Sequence, residues 1–287
     1  FINIKGENYF FDNEYLLNFK EVKGQILAKK AALIASAGNH NIIFEGSPGC
    51  GKSMITKRLQ YIMPPMSINE ILEKAKLDSL DIMEPNFSPL RVFRSPHHSS
   101  TKASIFGGGS ISAKIGEIAL SNNGLLFFDE LPHFGKPILE ALREPLEDNK
   151  ILISRVNSKV CYPTKFMFVG ALNPCPCGNM LNSKKDCRCN DVEISRYKNR
   201  LSDPFLDRID LFVIMNEVNS EDIADVDSQG LHKKVLDAFV MQKNRGQEEL
   251  NGKLSDEDIN KYCLLNHESQ ELLNKAIESY SLTFRSI

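Results

Sequence analysis

Eight consecutive residues, Gly46-Ser47-Pro48-Gly49-Cys50-Gly51-Lys52-Ser53, fit the pattern GxxxxGK[ST]. Small residues let the backbone curl until its N–H groups converge on an anion, and the positive end of a following helix adds to that attraction. The segment from Gly46 to Met54 is therefore expected to cradle the phosphates of a nucleotide such as ATP. Lys52 would reach the β- and γ-phosphates, and the Ser53 hydroxyl would ligate Mg²⁺. A second pair, Asp129-Glu130, ends the apolar run Leu125-Leu126-Phe127-Phe128. Behind a phosphate loop, Asp129 is placed to hold the Mg²⁺ shell and Glu130 to orient and polarise an attacking water.

Four of the seven cysteines cluster as Cys175-Pro176-Cys177 and Cys187-Arg188-Cys189. Two close thiolate pairs can complete a tetrahedral Zn²⁺ shell. The pairs are C-x-C where zinc ribbons show C-x₂-C, so a loop of free thiols stays open as a reading. Cys50 occupies a variable position of the phosphate loop, while Cys161 and Cys263 read as isolated packing residues. His97 and His98 stand in a loop with no acid at ligand spacing, and no chemistry is assigned to them.

These groups need a scaffold. Asn41–Glu45 reads as a buried strand, and Met54, Ile55, Leu59 and Ile62 recur at helical spacing behind the loop. Leu125–Phe128 reads as a strand of a parallel sheet covered on both faces. Further strands are expected at Ile151–Ile153 and Lys165–Gly170, with Ser154–Lys159 projecting between them, and helices at about 21–37 and 138–146. Ser53 and Asp129 are separated by 129 − 53 = 76 positions, more than a plain crossover with short loops requires. An insertion is placed at about 94–118, with Ser110–Ile118 as its hairpin. After Val218 the pattern turns helical. The expected organisation is an α/β core over 1–218, containing the hairpin and a Cys-rich loop at 174–190, followed by an α-helical lid over 219–287.

Composition narrows the class. The 287 residues, 42% hydrophobic and 25% charged, describe an ordinary soluble domain. No apolar run approaches the roughly 20 residues of a membrane helix, and no secretory signal is visible, so a cytoplasmic protein is expected. A net charge of −2 argues against a uniformly basic nucleic-acid binder and leaves room for local basic loops.

In chain order GSPGCGKS, LLFFDE, ALN and PFLDRIDLF resemble the AAA+ ATPases, which implies a P-loop core with a parallel sheet flanked by helices. Together with FRSPHH, GGGS, GEIAL, DELP, LEALREPLED and ALNPCPCG, the chain is similar to the Mg-chelatase-like YifB/ComM family from about Val22 to Arg285. Such members carry a Lon-protease-like domain ahead of the core, so the chain reads as an excised core. The resemblance implies that Asn173 is the sensor-1 residue near the γ-phosphate. It implies that Arg208 is the arginine finger reaching a neighbouring subunit, with Arg200 a second candidate. Arg285 resembles the sensor-2 arginine, and the family uses the FRSPHH stretch structurally.

Family members assemble into homo-oligomeric rings, expected here to be hexameric, with hairpins in a central pore. Lys114, Arg155 and Lys159 would then meet the phosphate backbone of DNA without reading its sequence. ComM-type relatives promote branch migration during natural transformation, which implies a bacterial DNA translocase or helicase. An alternative is a magnesium-chelatase-like subunit driving metal insertion or remodelling a protein partner, from which the NPCPCG…CRC insertion points away. A non-catalytic scaffold is opposed by the intact set of Lys52, Asp129, Glu130 and Arg208.

Overall fold

A strand with no polar side must be covered on both faces, and that requirement organises the fold. The computed structural model describes residues 1–81, 84–108, 114–155, 158–219 and 221–280, with the backbone alone at 154, 155, 158 and 280. From the N-terminus, β1 (Ile2–Ile4), β2 (Glu7–Phe10), α1 (Ile26–Gly38), β3 (Ile42–Gly46), α2 (Lys52–Leu59), β4 (Met66–Ser67) and α3 (Ile68–Leu80) precede β5 (Phe93–Arg94). Two short helices, α4 (Lys102–Phe106) and α5 (Glu117–Leu120), lead to β6 (Leu125–Phe128). Next come α6 (Lys136–Ala141), α7 (Arg143–Asp148), β7 (Lys150–Arg155), β8 (Ser158–Pro163), β9 (Met167–Leu172), α8 (Asp191–Lys198), α9 (Asp203–Leu206) and β10 (Leu211–Met215). Three helices follow: α10 (Ser228–Asn244), α11 (Asp256–Tyr262) and α12 (His267–Tyr280).

The central sheet has the order β10-β3-β9-β6-β5 and is parallel throughout. Side chains alternate between its faces with period two. Leu126, Phe128 and Phe168 join a core with α5, α6, α7 and the β7–β8 hairpin, whereas Leu125, Phe127 and Val169 join another with α1, α2 and Leu231 of α10. All four residues of β6 are buried. Each large side chain so covered contributes about 1.5–3 kcal/mol, so the strand that ends in Asp129 is held from both sides.

Several sequence expectations shift. The excess length between Ser53 and Asp129 holds α3 and the edge strand β5 as well as an insertion. Within the expected 94–118 hairpin, Gly108 and Lys114 form an antiparallel bridge, and 109–113 lie outside the described residues. Its C-terminal arm is not a strand. Glu117–Leu120 is helical, and Ile115 and Ile118 are buried in the core because their side chains fill the space beside α4. The 138–146 helix is two helices joined at Leu142: Pro145 has no N–H to give to the carbonyl four residues back. The strand expected at 165–170 runs two residues later, and the projecting loop continues the β7–β8 ladder to Arg155 and Ser158. Sequence reading missed the small antiparallel sheet β1-β2-β4.

Arg91 ties the two halves of the site scaffold together. Its Nε donates to the Pro64 carbonyl at 2.7 Å, Nη2 to Pro65 O at 2.9 Å, and Nη1 to Asn123 O at 2.6 Å and to Glu70 Oε1 at 3.0 Å. Pro64 and Pro65 lie just past α2, and Asn123 lies just before β6. One buried guanidinium therefore fixes where the helix behind the phosphate loop ends relative to where the acidic strand begins.

Candidate active site

The phosphate loop leaves the sheet where β3 ends, at the carboxyl edge where open α/β sheets bind ligands. Gly49 and Gly51 have φ of 84° and 98°, left-handed values that glycine adopts without steric cost. Gly51 caps α2, so Lys52 and Ser53 open that helix. The Lys52 ammonium donates to the carbonyls of Gly46 and Ser47, the latter at 3.1 Å, and to Asn173 Oδ1 at 3.2 Å. The Ser53 hydroxyl donates to Asp129 Oδ2 at 3.0 Å. Residues 46–53, Asp129 and Asn173, scattered over 128 positions (173 − 46 + 1), are thus brought together. Sequence reading missed Gln25, whose Nε2 donates to Cys50 O at 3.0 Å and to Asn216 O, joining the loop to the end of β10.

Glu130 has φ of 52°, which turns its side chain out of the strand direction. Its Oε2 lies 3.6 Å from His98 Nδ1 and 3.6 Å from His133 Nδ1. Together with Ser95–His98 and Asp129 it lines a cavity of about 320 Å³. The sequence shows no acid at ligand spacing from His98, but the fold brings Glu130 beside it. The acid it meets is 32 positions away in sequence (130 − 98), a contact made only when β5 and β6 pair. His97 stacks on His98 with ring centroids 4.1 Å apart and does not touch Glu130. Arg94 serves structure, pairing with Asp81 and Glu117 at 2.9 Å each.

The four clustered cysteines meet. Cys175, Cys177 and Cys187 have Sγ atoms 3.4, 3.7 and 3.7 Å apart, and all four sulfurs lie within 4.8 Å of one another. A disulfide needs about 2.05 Å. A tetrahedron with metal–sulfur bonds of about 2.3 Å has edges of roughly 3.8 Å, so the spacing and the soft donor set fit one Zn²⁺. Backbone N–H groups of Arg188 and then Asn179 hold the Cys177 thiol down at about 6, whereas desolvation and the neighbouring sulfurs push Cys187 up and Cys189 up to about 12, so one thiolate stands ready and a metal would displace protons from the others. Cys50 is buried, but Cys161 and Cys263 are exposed, contrary to a packing role for those two.

The contacts of the Arg208 side chain among the described residues involve no residue of its own phosphate loop. Its guanidinium pairs with Glu147 and donates to Pro204 O, and it lines a cavity of about 620 Å³ with Lys102, Glu144 and Asp148, to which no residue of the loop contributes. Arg200 donates to Pro132 O at 3.0 Å, just beyond Glu130. Lys114 and Lys159 are exposed; Arg155 ends β7 opposite Ser158, with its side chain outside the described residues. Arg285 also lies outside them.

A family model described as magnesium chelatase, subunit ChlI, matches residues 18–223, and one described as magnesium chelatase, subunit ChlI C-terminal, matches 225–287. The chain belongs to the magnesium chelatase ChlI family. The resemblance expected from GSPGCGKS and its companion motifs is borne out, with an AAA+-type parallel sheet flanked by helices and a helical C-terminal region. Within this ChlI-type family, competence protein ComM of Haemophilus influenzae is 39% identical over 283 residues, covering 96% of this chain and 55% of that protein. The uncharacterized protein YifB of Salmonella typhimurium is 39% identical over 276 residues, covering 94% and 54%. Its Escherichia coli counterpart is 36% identical over 275 residues, covering 94% and 54%. The chain spans about half the length of these curated relatives. No helix among the described residues is long and apolar enough to cross a membrane.

Proposed function

We propose that this chain is the ATP-hydrolysing core of a ring motor acting on DNA, with 1–218 as the nucleotide-binding part and 219–287 as its lid. One observation carries the hydrolytic reading: the Ser53 hydroxyl and the Asp129 carboxylate meet at 3.0 Å, as two ligands of one cation must. Mg²⁺ held there would draw charge from the β- and γ-phosphate oxygens. Lys52 exchanges its carbonyl partners for phosphate oxygens. Asn173, already bonded to Lys52, stands beside the γ-phosphate. Glu130 takes a proton from the water that attacks γ-phosphorus in line, and His98 and His133 hold its carboxylate in direction. Arg208, whose contacts lie outside its own loop, would reach the site of the next subunit and meet charge that develops only in the transition state. Arg285 is proposed as the lid's contact to the same phosphates.

DNA is the proposed track because Lys114 in the inserted segment and Lys159 on the β7–β8 hairpin are exposed cations, the latter near Arg155 at the end of β7, and a relative bears the name competence protein. A hexamer with these residues in its pore would grip the backbone through charge. The description of the matching family favours a second reading, metal insertion into a substrate by a chelatase-type complex. Steady-state hydrolysis with and without single-stranded and branched DNA decides between them. Salt-sensitive stimulation by DNA is expected. Hydrolysis indifferent to DNA, with no salt-dependent binding, refutes the DNA motor. We also propose one structural Zn²⁺ on Cys175, Cys177, Cys187 and Cys189.

A further inference from the structure

The loop after Asn173 touches the phosphate loop itself. The turn from Cys175 to Gly178, closed by Gly178 N–H donating to Cys175 O at 2.9 Å, lays the Gly178 backbone on the ring of Pro48. A Cβ on Gly178 would sit 2.6 Å from Pro48 Cδ, 2.7 Å from Pro48 Cγ and 3.9 Å from Asn173 Cγ, and its φ is +77°. Only glycine fits on both counts. At the far end of the loop, Ser183 donates to Glu217 Oε2 through Oγ at 2.5 Å and N–H at 3.3 Å. Glu217 lies two residues past β10, on the way to the lid helices. The loop is thus a strap that starts at Asn173, crosses Pro48 and is tied down at the exit toward the lid.

Between β9 and α8 the strap has no helix or strand of its own. Ordering so long an irregular segment costs conformational entropy, and a metal held by the four converging sulfurs would be the cross-link that offsets it. We propose that the cysteine cluster is a metal-controlled regulator of nucleotide affinity: a thiolate-seeking divalent ion of the Zn²⁺ class sets the strap, and the strap sets Pro48 and Asn173 around the phosphates. Binding forms four metal–sulfur bonds, and those of the four sulfurs that still carry protons release them to solvent. With the metal in place, Gly178 backs the phosphate loop in its binding shape. Without it, Pro48 loses its support and Asn173 its anchor. The inference rests on the reading of Gly46–Ser53 as the nucleotide site.

Coupling between two sites is reciprocal and typically amounts to 5–150-fold, and about tenfold is expected here. The test measures the Kd of a fluorescent ATP analogue on zinc-loaded and chelator-treated protein, and the zinc Kd by chelator competition with and without the same nucleotide. Stripping should weaken nucleotide binding about tenfold, added zinc should restore it, and nucleotide should tighten zinc by the same factor. Gly178→Ala should keep its zinc by elemental analysis and still bind nucleotide about tenfold more weakly. If stripping unfolds the chain, the competition experiment and Gly178→Ala decide on folded protein. Equal zinc affinity with and without nucleotide, unchanged nucleotide affinity in Gly178→Ala, or no zinc bound at all overturns the proposal. Lys52→Ala separates the premises: if it binds the analogue as tightly as wild type, the nucleotide site itself has been misplaced, whatever zinc does.

Discussion

Replacing Arg91 by Met should destabilise the fold severely while leaving the residues of the site untouched. Arg91 is 6% exposed and donates four hydrogen bonds, three to carbonyls of Pro64, Pro65 and Asn123 and one to Glu70. Hydrogen bonds to a charged group contribute about 1.5–3 kcal/mol each, but burying the guanidinium offsets part of their sum. Removing one partner of a buried pair leaves the other uncompensated, at about 3–5 kcal/mol. Met fills similar space, so little of the loss is a cavity. For a chain of this length that corresponds to a fall in melting temperature of roughly 5–8 °C. Arg91→Lys should recover less than half, because one ammonium cannot span four acceptors on three segments. Thermal and denaturant unfolding followed by circular dichroism measure both. An Arg91→Met variant within about 1 kcal/mol of wild type would show that the clamp is not what registers α2 against β6.

Other expectations follow from the same geometry. Arg208→Ala should bind ATP normally yet lose nearly all turnover, by about 10³–10⁵ if it is the finger; rings mixed from Arg208→Ala and Glu130→Gln subunits should regain activity, and mixed rings that stay inactive would make Arg200 the leading candidate. His98→Phe with His133→Phe keeps the rings and removes the nitrogens that face Glu130, so kcat should fall about tenfold at unchanged KM, with the two Asn variants losing less; a change in KM alone would contradict the positioning role. His232 is buried, which holds its imidazole down at about 4 against an ordinary 6.5. The unfolded chain therefore binds its proton first as pH falls. The stability it supports is complete above about 6.5 and is lost toward 4, by about 2 kcal/mol between pH 7 and 4.5. Unfolding curves of wild type and His232→Gln that show the same pH slope would exclude it.

The parts of the site that were legible in the sequence are those whose chemistry is local. The phosphate loop is contiguous, and Asp129 follows an apolar run long enough to be read as a covered strand. β5 was not legible because two residues, Phe93 and Arg94, show no periodicity; their strand is created by pairing with Leu125 and Leu126. That missed strand concealed His98 from Glu130. Gln25 and Arg91 gave no signal because Gln25 and three of the four hydrogen bonds of Arg91 act through backbone carbonyls, which every sequence has. Ser110–Ile118 shows the limit of counting apolar residues: 110–113 lie outside the described residues, Lys114 bridges Gly108, and Ile118 belongs to a short helix buried with Ile115 against α4. The cysteines were legible as two pairs, but their contact with Pro48 through Gly178 was not.

The central claim is that Gly46–Ser53, Asp129 and Glu130 form one hydrolytic site. Its most direct measurement compares ATP binding and steady-state ATP turnover for wild type and Glu130→Gln in the presence of Mg²⁺. The substitution keeps the shape of the side chain and removes the carboxylate that directs water. Binding equal to wild type within about twofold, with turnover lower by at least about 10², is the predicted result. Turnover equal to that of wild type, or no ATP binding by either protein, would contradict it.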